Sequence, residues 1–210
     1  MAKTKTNAPG IKRREAMIEA AWTLFMQKGY TAVSVDEIIR MSGGSKSSFY
    51  VFFGSKEGLF MEIVTSVTNQ LLEEFMVPVT SGLSARESLT RIGRTIGNKI
   101  LTEKGTGLYR LSASISWQFP EISRMFYESG PKRGWKGLAE YLRKEVSAGR
   151  LRIKDPLMAA EFFFGMIISK DHISMPLGCS GPPPKQRVER LVAEAVDVFM
   201  AAYGNVDSIG

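Results

Sequence analysis

The side chains with the clearest capacity for chemistry follow the pair Gly43-Gly44. With ~100° of rotation per helical residue, one arc of a short helix there carries a cation, hydroxyl groups and one aliphatic group: Lys46, Ser47, Tyr50 and Val51. Cations and hydroxyls are good partners for phosphates and base edges, and the amides of a helix N-terminus add positive potential. The arc predicts contact with an anionic partner, and an ordinary capped surface helix is the alternative.

The opposite arc of the same helix is apolar. Phe49, Phe52 and Phe53 fall together on it, which predicts an anchor in a small core. Upstream, Ser34 and Glu37 have the capping-box spacing that starts a helix, and the double glycine ends that helix. Two short helices joined by a turn that contains glycine are typical of a helix-turn-helix.

Further helices flank this pair. Apolar residues recur with helical spacing between Lys12 and Lys28, and Gly29 ends that helix. Ser55 starts a fourth helix. The first three helices are predicted to share a small core. Its expected members are Trp22, Phe25, Ile38, Phe49 and Phe53.

The order of residue types in this region follows a recognisable pattern. It consists of a Gly-aromatic pair, Thr or Ser, a short helix, a glycine turn, Ser-Lys, an aromatic-Tyr step, Phe, then Ser-Lys-Glu and an apolar pair. The chain supplies these as Gly29-Tyr30, Thr31, Ser34 to Met41, Gly43, Ser45-Lys46, Phe49-Tyr50, Phe53, Ser55-Lys56-Glu57 and Leu59-Phe60. Residues 12–60 therefore resemble the DNA-binding domain of the TetR family of bacterial transcriptional regulators. The remaining chain resembles the family only in length and helical character.

The resemblance implies that the start of the second short helix faces the major groove and that residues around it reach phosphates. The positions that match the family's DNA contacts are Ser34, Ser45, Lys46, Ser47, Ser48, Tyr50, Val51 and Lys56. Val51 would either meet a thymine methyl group or be plain helix filler.

Two positions depart from the family pattern. Gly44 stands where the family usually has an apolar residue, which predicts a looser turn or a different helix start. Phe52 stands where His or Tyr is frequent, so the phosphate contact made there in relatives is expected to be absent.

Positive charge is concentrated near the start of the chain. The 210 residues carry a formal net charge of +7, which suits a partner that carries phosphates. Residues 1–60 hold nine Lys or Arg against five Asp or Glu, which gives +4, and the other 150 residues hold nineteen against sixteen, which gives +3. A plain disordered tail is the expected description of residues 1–10, and a flexible basic arm that adds phosphate or minor-groove contacts is the alternative. The members of the arm would be Lys3, Lys5, Lys12, Arg13 and Arg14.

The sequence argues against an enzyme, a metal site and a membrane span. It contains one histidine, His172, and one cysteine, Cys179, and it shows no Walker loop, dinucleotide fingerprint or zinc spacing. A catalytic site built on His172 is the enzymatic alternative. The apolar run from Phe162 to Ile168 is much shorter than the ~20 residues of a membrane helix. No cofactor and no signal peptide are expected, and the single cysteine favours a reducing cytoplasm.

Helical patterns continue to the end of the chain. Ser84 with Glu87, and Asp155 with Pro156, predict two helix starts, and no strand alternation appears. The predicted fold class is all-α, with about nine helices.

Two domains are expected. Residues 1–55 would form an arm and a three-helix DNA-binding head, with the helix-turn-helix at about residues 34–53. Residues 56–210 would form a larger helical domain that binds an effector and dimerises.

The last two long helices are apolar over more than one stripe, so two sides of each should be covered. In the TetR family these helices pair with their twofold mates, and the resemblance implies a homodimer on a pseudo-palindromic double-stranded DNA operator. The residues expected at this interface are Phe162, Val188, Leu191, Val192, Ala195, Val198 and Phe199.

The resemblance also implies a small-molecule effector, which would pivot the fourth helix and release a repressor from DNA. Its pocket would lie in the middle of the second domain, although each residue involved could equally be core. The expected lining is Trp117, Phe119, Met125, Phe126, Trp135, Phe163, Met166 and His172. An all-α binding or interaction module without specific DNA binding is the alternative function.

Overall fold

The computed structural model describes residues 8–76 and 82–205 of the chain. These ranges hold eleven helices, rather than about nine, and no strand, with one isolated bridge between Leu151 and Gly204. The all-α prediction is confirmed. The helices are α1 (Ala8–Lys28), α2 (Val35–Ser42), α3 (Lys46–Phe53), α4 (Lys56–Met76), α5 (Ala85–Ile100), α6 (Glu103–Ser114), α7 (Pro120–Ser129), α8 (Pro131–Ser147), α9 (Pro156–Ile168), α10 (Asp171–Ser174) and α11 (Lys185–Tyr203).

Side-chain caps start several helices where the sequence predicts them. The Ser34 hydroxyl accepts from the Glu37 amide, and the Glu37 carboxylate accepts from the Ser34 amide. The same reciprocal pair joins Ser84 and Glu87 at α5, and Asp155 accepts from two amides in the first turn of α9. Each such cap stabilises its helix by about 1 kcal/mol.

The chain divides into two compact units. Unit 1 comprises residues 8–66 and 111–126, and unit 2 comprises residues 67–76, 82–110 and 127–205. Helices α4, α6 and α7 therefore each contribute residues to both units.

Unit 1 extends beyond the predicted domain boundary at residue 55. The first part of α4 belongs to it because Leu59, Phe60 and Ile63 are buried, and the Phe60 ring lies 5.5 Å from the Tyr30 ring. A capping signal indicates where a helix begins, but it does not say which core the helix joins. The prediction therefore left out residues 56–66 and 111–126.

Tyr30 occupies the centre of the core of unit 1. Its ring lies 5.2 Å from Phe25 and 5.6 Å from Phe119, and its hydroxyl donates to the Glu57 carboxylate at 3.1 Å. Burial and the neighbouring Glu57 charge raise the pKa of Tyr30 well above its usual value. Trp22, which the sequence places in this core, is only partly buried.

The core of unit 2 lies among α5, α8, α9 and α11. Within it, the Phe163 ring meets the edge of Phe199 at 5.3 Å. Helices α5 and α11 approach closely because Gly97 faces Val188, where an added Cβ would lie 2.5 Å from Val188 Cγ1. Much of the apolar face of α11 is therefore covered by the chain itself.

This packing corrects part of the predicted dimer interface. Four of the expected interface residues are buried in the core of unit 2, namely Val188, Val192, Ala195 and Phe199. Their side chains are already covered by the same chain. Leu191 is partly buried, whereas Phe162 and Val198 are exposed. Periodicity shows that a helix face is covered, but it does not show whether the same chain or a partner covers it.

No helix within residues 8–76 and 82–205 has the length and apolar character needed to cross a membrane. In α9, Phe163, Phe164 and Ile167 are buried in the core of unit 2, as expected for the apolar run that contains them.

Candidate DNA-binding site

Helix α3 is anchored in unit 1 by its apolar face. Phe49 and Phe53 are buried, with their ring centroids 5.4 Å apart. Phe52 is partly buried and lies 6.0 Å from Phe53. The prediction that this arc faces the core is confirmed.

The opposite face of α3 is open to solvent. Lys46, Ser47 and Tyr50 are exposed, and Val51 is 78% exposed. This face offers an ammonium group, two hydroxyls and an isopropyl group without any rearrangement of the core. It can therefore approach a phosphate backbone and the edges of bases.

The start of α3 uses serine hydroxyls for its own cap. The Ser45 hydroxyl accepts from the Ser48 amide at 3.2 Å and donates to the Ser48 hydroxyl at 2.9 Å. The two hydroxyls thus fix where the helix begins. Ser47 lies between them in sequence and is exposed.

Lys46 pairs with a carboxylate that the sequence interpretation missed. Its Nζ lies 2.9 Å from Asp36 Oδ1. The hydrogen bond and the charge of Asp36 raise the pKa of Lys46. Asp36 and Lys46 lie on different helices, so helical periodicity does not indicate that they are close. Predicting the ion pair would require the geometry of the turn between α2 and α3.

Ser34 is occupied by its capping box. Its hydroxyl donates to the Glu37 carboxylate at 3.2 Å, and Lys28 lies 2.7 Å from the other oxygen of that carboxylate. The hydrogen bond from Lys28, followed by the one from the Ser34 backbone, lowers the pKa of Glu37 to about 2. The start of α2 is consequently held by charge as well as by hydrogen bonds.

The ammonium group of Lys56 donates to backbone carbonyl groups of unit 1. The Nζ atom donates to the carbonyl oxygens of Tyr30 at 3.0 Å and Val33 at 2.9 Å. It also lies 4.3 Å from the centroid of the Tyr30 ring, and burial lowers the pKa of Lys56. This geometry gives Lys56 a structural role in the connection between α1 and α2, and its assignment as a phosphate contact stays a prediction.

The turn between α2 and α3 keeps its predicted limits despite the glycine at position 44. Gly43 adopts φ 68°, in the left-handed region, and its amide donates to the Ile39 carbonyl. Helix α3 then begins at Lys46, directly after the Ser45 cap. The looser turn or shifted start that Gly44 suggested is not found.

The residues named for a basic arm are helical in their described part. Lys12, Arg13 and Arg14 lie within α1, and Lys3 and Lys5 lie outside the described residues. Arg14 forms an ion pair with Glu62 of α4. Arg14 is therefore a packing residue of unit 1 rather than part of an arm.

The residues expected to line an effector pocket are divided between the two units. Trp117, Phe119, Met125 and Phe126 belong to unit 1, whereas Trp135, Phe163, Met166 and His172 belong to unit 2. Trp117 is 98% exposed and Met125 is exposed. Phe119 packs against Tyr30, and Phe163 is core. Aromatic composition identified apolar positions but could not distinguish core, surface and pocket.

His172 is the member of this set with an unexplained polar atom. Its Nδ1 is buried and has no hydrogen-bond partner among the described residues, and burial lowers the pKa of the imidazole. Its ring centroid lies 4.5 Å from that of Tyr109 on α6. Buried polar atoms usually have a partner, so this pair marks a place where a ligand could supply one. Tyr109 was missed because it carries no motif.

Two family models match the chain. The model described as bacterial regulatory proteins, tetR family, matches residues 17–63, which include α2 and α3. The model described as AefR-like transcriptional repressor, C-terminal domain, matches residues 87–205.

Among curated proteins, the uncharacterised HTH-type transcriptional regulator YhgD of Bacillus subtilis is 25% identical over 154 residues, which cover 71% of this chain and 78% of YhgD. The HTH-type transcriptional repressor BdcR of Escherichia coli is 43% identical over 67 residues, 30% of this chain and 34% of BdcR.

Solved structures agree over nearly the whole chain. A putative TetR-family transcriptional regulator from Mesorhizobium loti is 27% identical, with a TM-score of 0.82 over 95% of this chain and 100% of that one. The flavonoid-responsive regulator FrrA is 30% identical, with a TM-score of 0.74 over 92% of this chain and 98% of FrrA. With α3 presenting a polar face on a helix-turn-helix, and with both halves of the chain matched, this protein belongs to the TetR family of bacterial transcriptional regulators.

Proposed function

We propose that this regulator is a repressor that binds a pseudo-palindromic operator as a homodimer and leaves it when a small-molecule effector binds. The single observation that carries the proposal is the exposed face of α3, held outward by the buried Phe49 and Phe53. As a regulator of transcription it would act in the cytoplasm, where bacterial DNA is.

Direct contacts with DNA are assigned to the exposed face of α3. Lys46 and Tyr50 would bind phosphates or base edges, and Ser47 would donate from its hydroxyl. Val51, at 78% exposure, is placed to meet a thymine methyl group. Three serines would act indirectly, by fixing the starts of α2 and α3, where a DNA phosphate can approach the free amides. They are Ser34, Ser45 and Ser48.

The test is selection of bound fragments from the genomic DNA of the source organism. One enriched palindrome whose half-sites lie about 34 Å apart, one turn of DNA or a multiple of it, would support the proposal. Enrichment of unrelated fragments in proportion to their length alone would contradict it. That result would mean that the protein binds the DNA backbone and does not recognise a base sequence.

The homodimer is assigned to the exposed apolar side chains of α9 and α11. Leu157, Met158 and Phe162 on α9 and Val198 on α11 are all exposed, and Met158 and Phe162 share a helix face at i, i+4. Sedimentation should show a dimer for the native chain and a monomer for Phe162→Glu. Ile173→Glu, at an exposed position on α10, is the matched control and should stay dimeric.

The effector site is assigned to unit 2, where Trp135, Met166 and His172 are each partly buried. The His172 ring beside Tyr109 combines an aromatic surface with a buried nitrogen that lacks a partner among the described residues. This combination suits a flat aromatic molecule that carries a hydroxyl group. The relative FrrA is described as flavonoid-responsive, which makes flavonoid aglycones the first compounds to test.

Calorimetry with a panel of flavonoid aglycones tests this site. A compound that binds the native chain, binds at least tenfold more weakly to His172→Ala, and binds Cys179→Ser normally would support the assignment. Equal binding to the native chain and to His172→Ala would contradict it. Loss of operator binding when the compound is added would support release by the effector, since the coupling must be reciprocal.

Residues 111–126 give the effector signal a path to the DNA-binding head in addition to the proposed pivot of α4. They belong to unit 1 although the preceding part of α6 belongs to unit 2. Phe119 lies against Tyr30, and the Thr31 hydroxyl donates to Gln118 Oε1 at 3.2 Å. A shift of this segment would therefore act on the connection that leads into α2.

A further inference from the structure

Asp36 pairs with the cation on the exposed face of α3. Its carboxylate lies 2.9 Å from Lys46 Nζ. Asp36 is the second residue of α2, and Lys46 is the first residue of α3. The two side chains are 65% and 66% exposed, so both are within reach of a duplex that approaches this face.

We propose that Asp36 limits the affinity of this protein for DNA by competing with phosphate for Lys46. The proposal rests on the proposed function, in which the exposed face of α3 binds DNA.

Competition between two anions is the physical basis. A phosphate and the Asp36 carboxylate bind the same ammonium group, and a charge-assisted contact of this kind is stronger than a neutral one. In a non-specific complex the phosphate contact is a main source of affinity, and it must first displace Asp36. The displaced carboxylate then lies close to the DNA backbone and repels it.

The correct operator can offset this competition. When α3 is seated in the groove, Tyr50 and Val51 add contacts with base edges, which random DNA does not provide in register. Competition for Lys46 lowers both affinities by a similar factor, so random DNA is bound weakly while the operator, with its added contacts, is still bound tightly.

The placement of Asp36 is not required for the start of α2. Ser34 and Glu37 already form the complete capping box there, and Glu37 is itself paired with Lys28. Asp36 also lies in the first turn of α2, where a carboxylate stabilises the helix by interacting with the positive end of its dipole. That structural role predicts a small loss of stability in Asp36→Asn, with no gain of affinity for DNA.

The experiment measures binding of the full chain to a fluorescent duplex of random sequence, and to the operator recovered by selection. Asp36→Asn should bind the random duplex about threefold to fivefold more tightly at low salt, the size expected for loss of one exposed ion pair. Its plot of log affinity against log salt should steepen by up to about 0.9, the whole contribution of one phosphate. Operator affinity should rise by a similar factor, because the same carboxylate competes for Lys46 there.

Two controls separate this effect from net charge. Glu140→Gln changes the charge by the same amount at an exposed position of α8 and should leave the random duplex affinity unchanged. In a Lys46→Ala background, Asp36→Asn should give a smaller gain than in the native chain, because the contested ammonium is absent.

Equal affinities of Asp36→Asn and Glu140→Gln for the random duplex would overturn the proposal. The proposal would also be overturned if Asp36→Asn bound the operator more weakly and lost its preference at one base pair. That result would mean that Asp36 accepts a hydrogen bond from a cytosine amino group. Failure of the native chain to bind any duplex would instead refute the proposed function itself.

Discussion

Met17 of α1 occupies the space that a side chain at position 44 would need. A Cβ atom on Gly44 would lie 2.2 Å from Met17 Cε, and Met17 is fully buried. The apolar residue that the family usually carries in this turn is thus replaced by a methionine that reaches in from another helix. This relationship explains why the turn keeps its limits although Gly44 departs from the family pattern.

Gly44→Ala should lower the free energy of unfolding by about 1 kcal/mol, the low end for an overpacked core, because the added methyl group must move the flexible end of the buried Met17 side chain. Urea titration measures the change. The cost should shrink in a Met17→Val background, where the Cε atom is absent. Gly165→Ala on α9, where an added Cβ meets no atom within 4 Å, is the control and should be neutral or slightly stabilising. An equal cost of Gly44→Ala in both backgrounds would exclude Met17 as its cause.

Lys56 and Lys46 should affect DNA binding in different ways. Lys56→Ala removes the charged donor of two carbonyl groups and should lower the stability of unit 1 by about 1–3 kcal/mol. On this structural role, the salt dependence of its operator binding should stay that of the native chain. Lys46→Ala should reduce the slope of log affinity against log salt by about 0.9. If Lys56→Ala also reduced that slope, Lys56 would be a phosphate contact, as the resemblance implies.

Glu37 should make unit 1 less stable in acid. The pKa of Glu37 is about 2 in the folded chain, below its usual 4.5, first because of Lys28 and then because of the Ser34 backbone. A lowered folded pKa gives stability that is fully present above pH 4.5 and is lost as the pH falls towards 2. Denaturant midpoints between pH 5 and pH 2.5 should fall more steeply for the native chain than for Glu37→Gln. Glu19→Gln on α1 is the control for net charge and should follow the native chain; parallel curves for all three would exclude this role of Glu37.

Phe119 should stabilise the DNA-binding head from outside the first three helices. Because its ring packs against Tyr30, Phe119→Ala should speed amide hydrogen exchange in α2 and α3. A double-mutant cycle with Tyr30→Leu should give a coupling of about 0.5–1.5 kcal/mol. Trp117→Ala, two residues away and 98% exposed, should leave the exchange unchanged. Faster exchange in both variants would mean that the whole segment 111–126 was disturbed, rather than the packing of the Phe119 ring alone.

Local signals in the sequence predicted the parts of this structure that depend on neighbouring residues. The capping pairs at Ser34 and Ser84, the break at Gly43 and the two faces of α3 all follow from spacing within one or two turns of helix. The burial of Phe49 and Phe53 is the clearest case, because three phenylalanines on one arc form an apolar helix face that packs against a core.

Relationships between distant residues could not be predicted in this way. Nothing in the spacing of Lys56 indicates that its ammonium reaches the carbonyl groups of Tyr30 and Val33. The pairing of Asp36 with Lys46 depends on how α2 and α3 cross. The arcs of α11 were correctly judged apolar, but Val188 and its neighbours are covered by α5 and α9 rather than by a partner.

The central claim is that the exposed face of α3 reads the operator. Fluorescence anisotropy with the selected palindrome tests it most directly, with Lys46→Ala/Tyr50→Ala compared with the native chain and with Lys154→Ala, which changes an exposed lysine in unit 2. We expect Lys154→Ala to bind normally and the double variant to bind the palindrome at least tenfold more weakly, with a smaller reduction for a scrambled duplex. Equal binding of the palindrome by the native chain and the double variant would contradict the account.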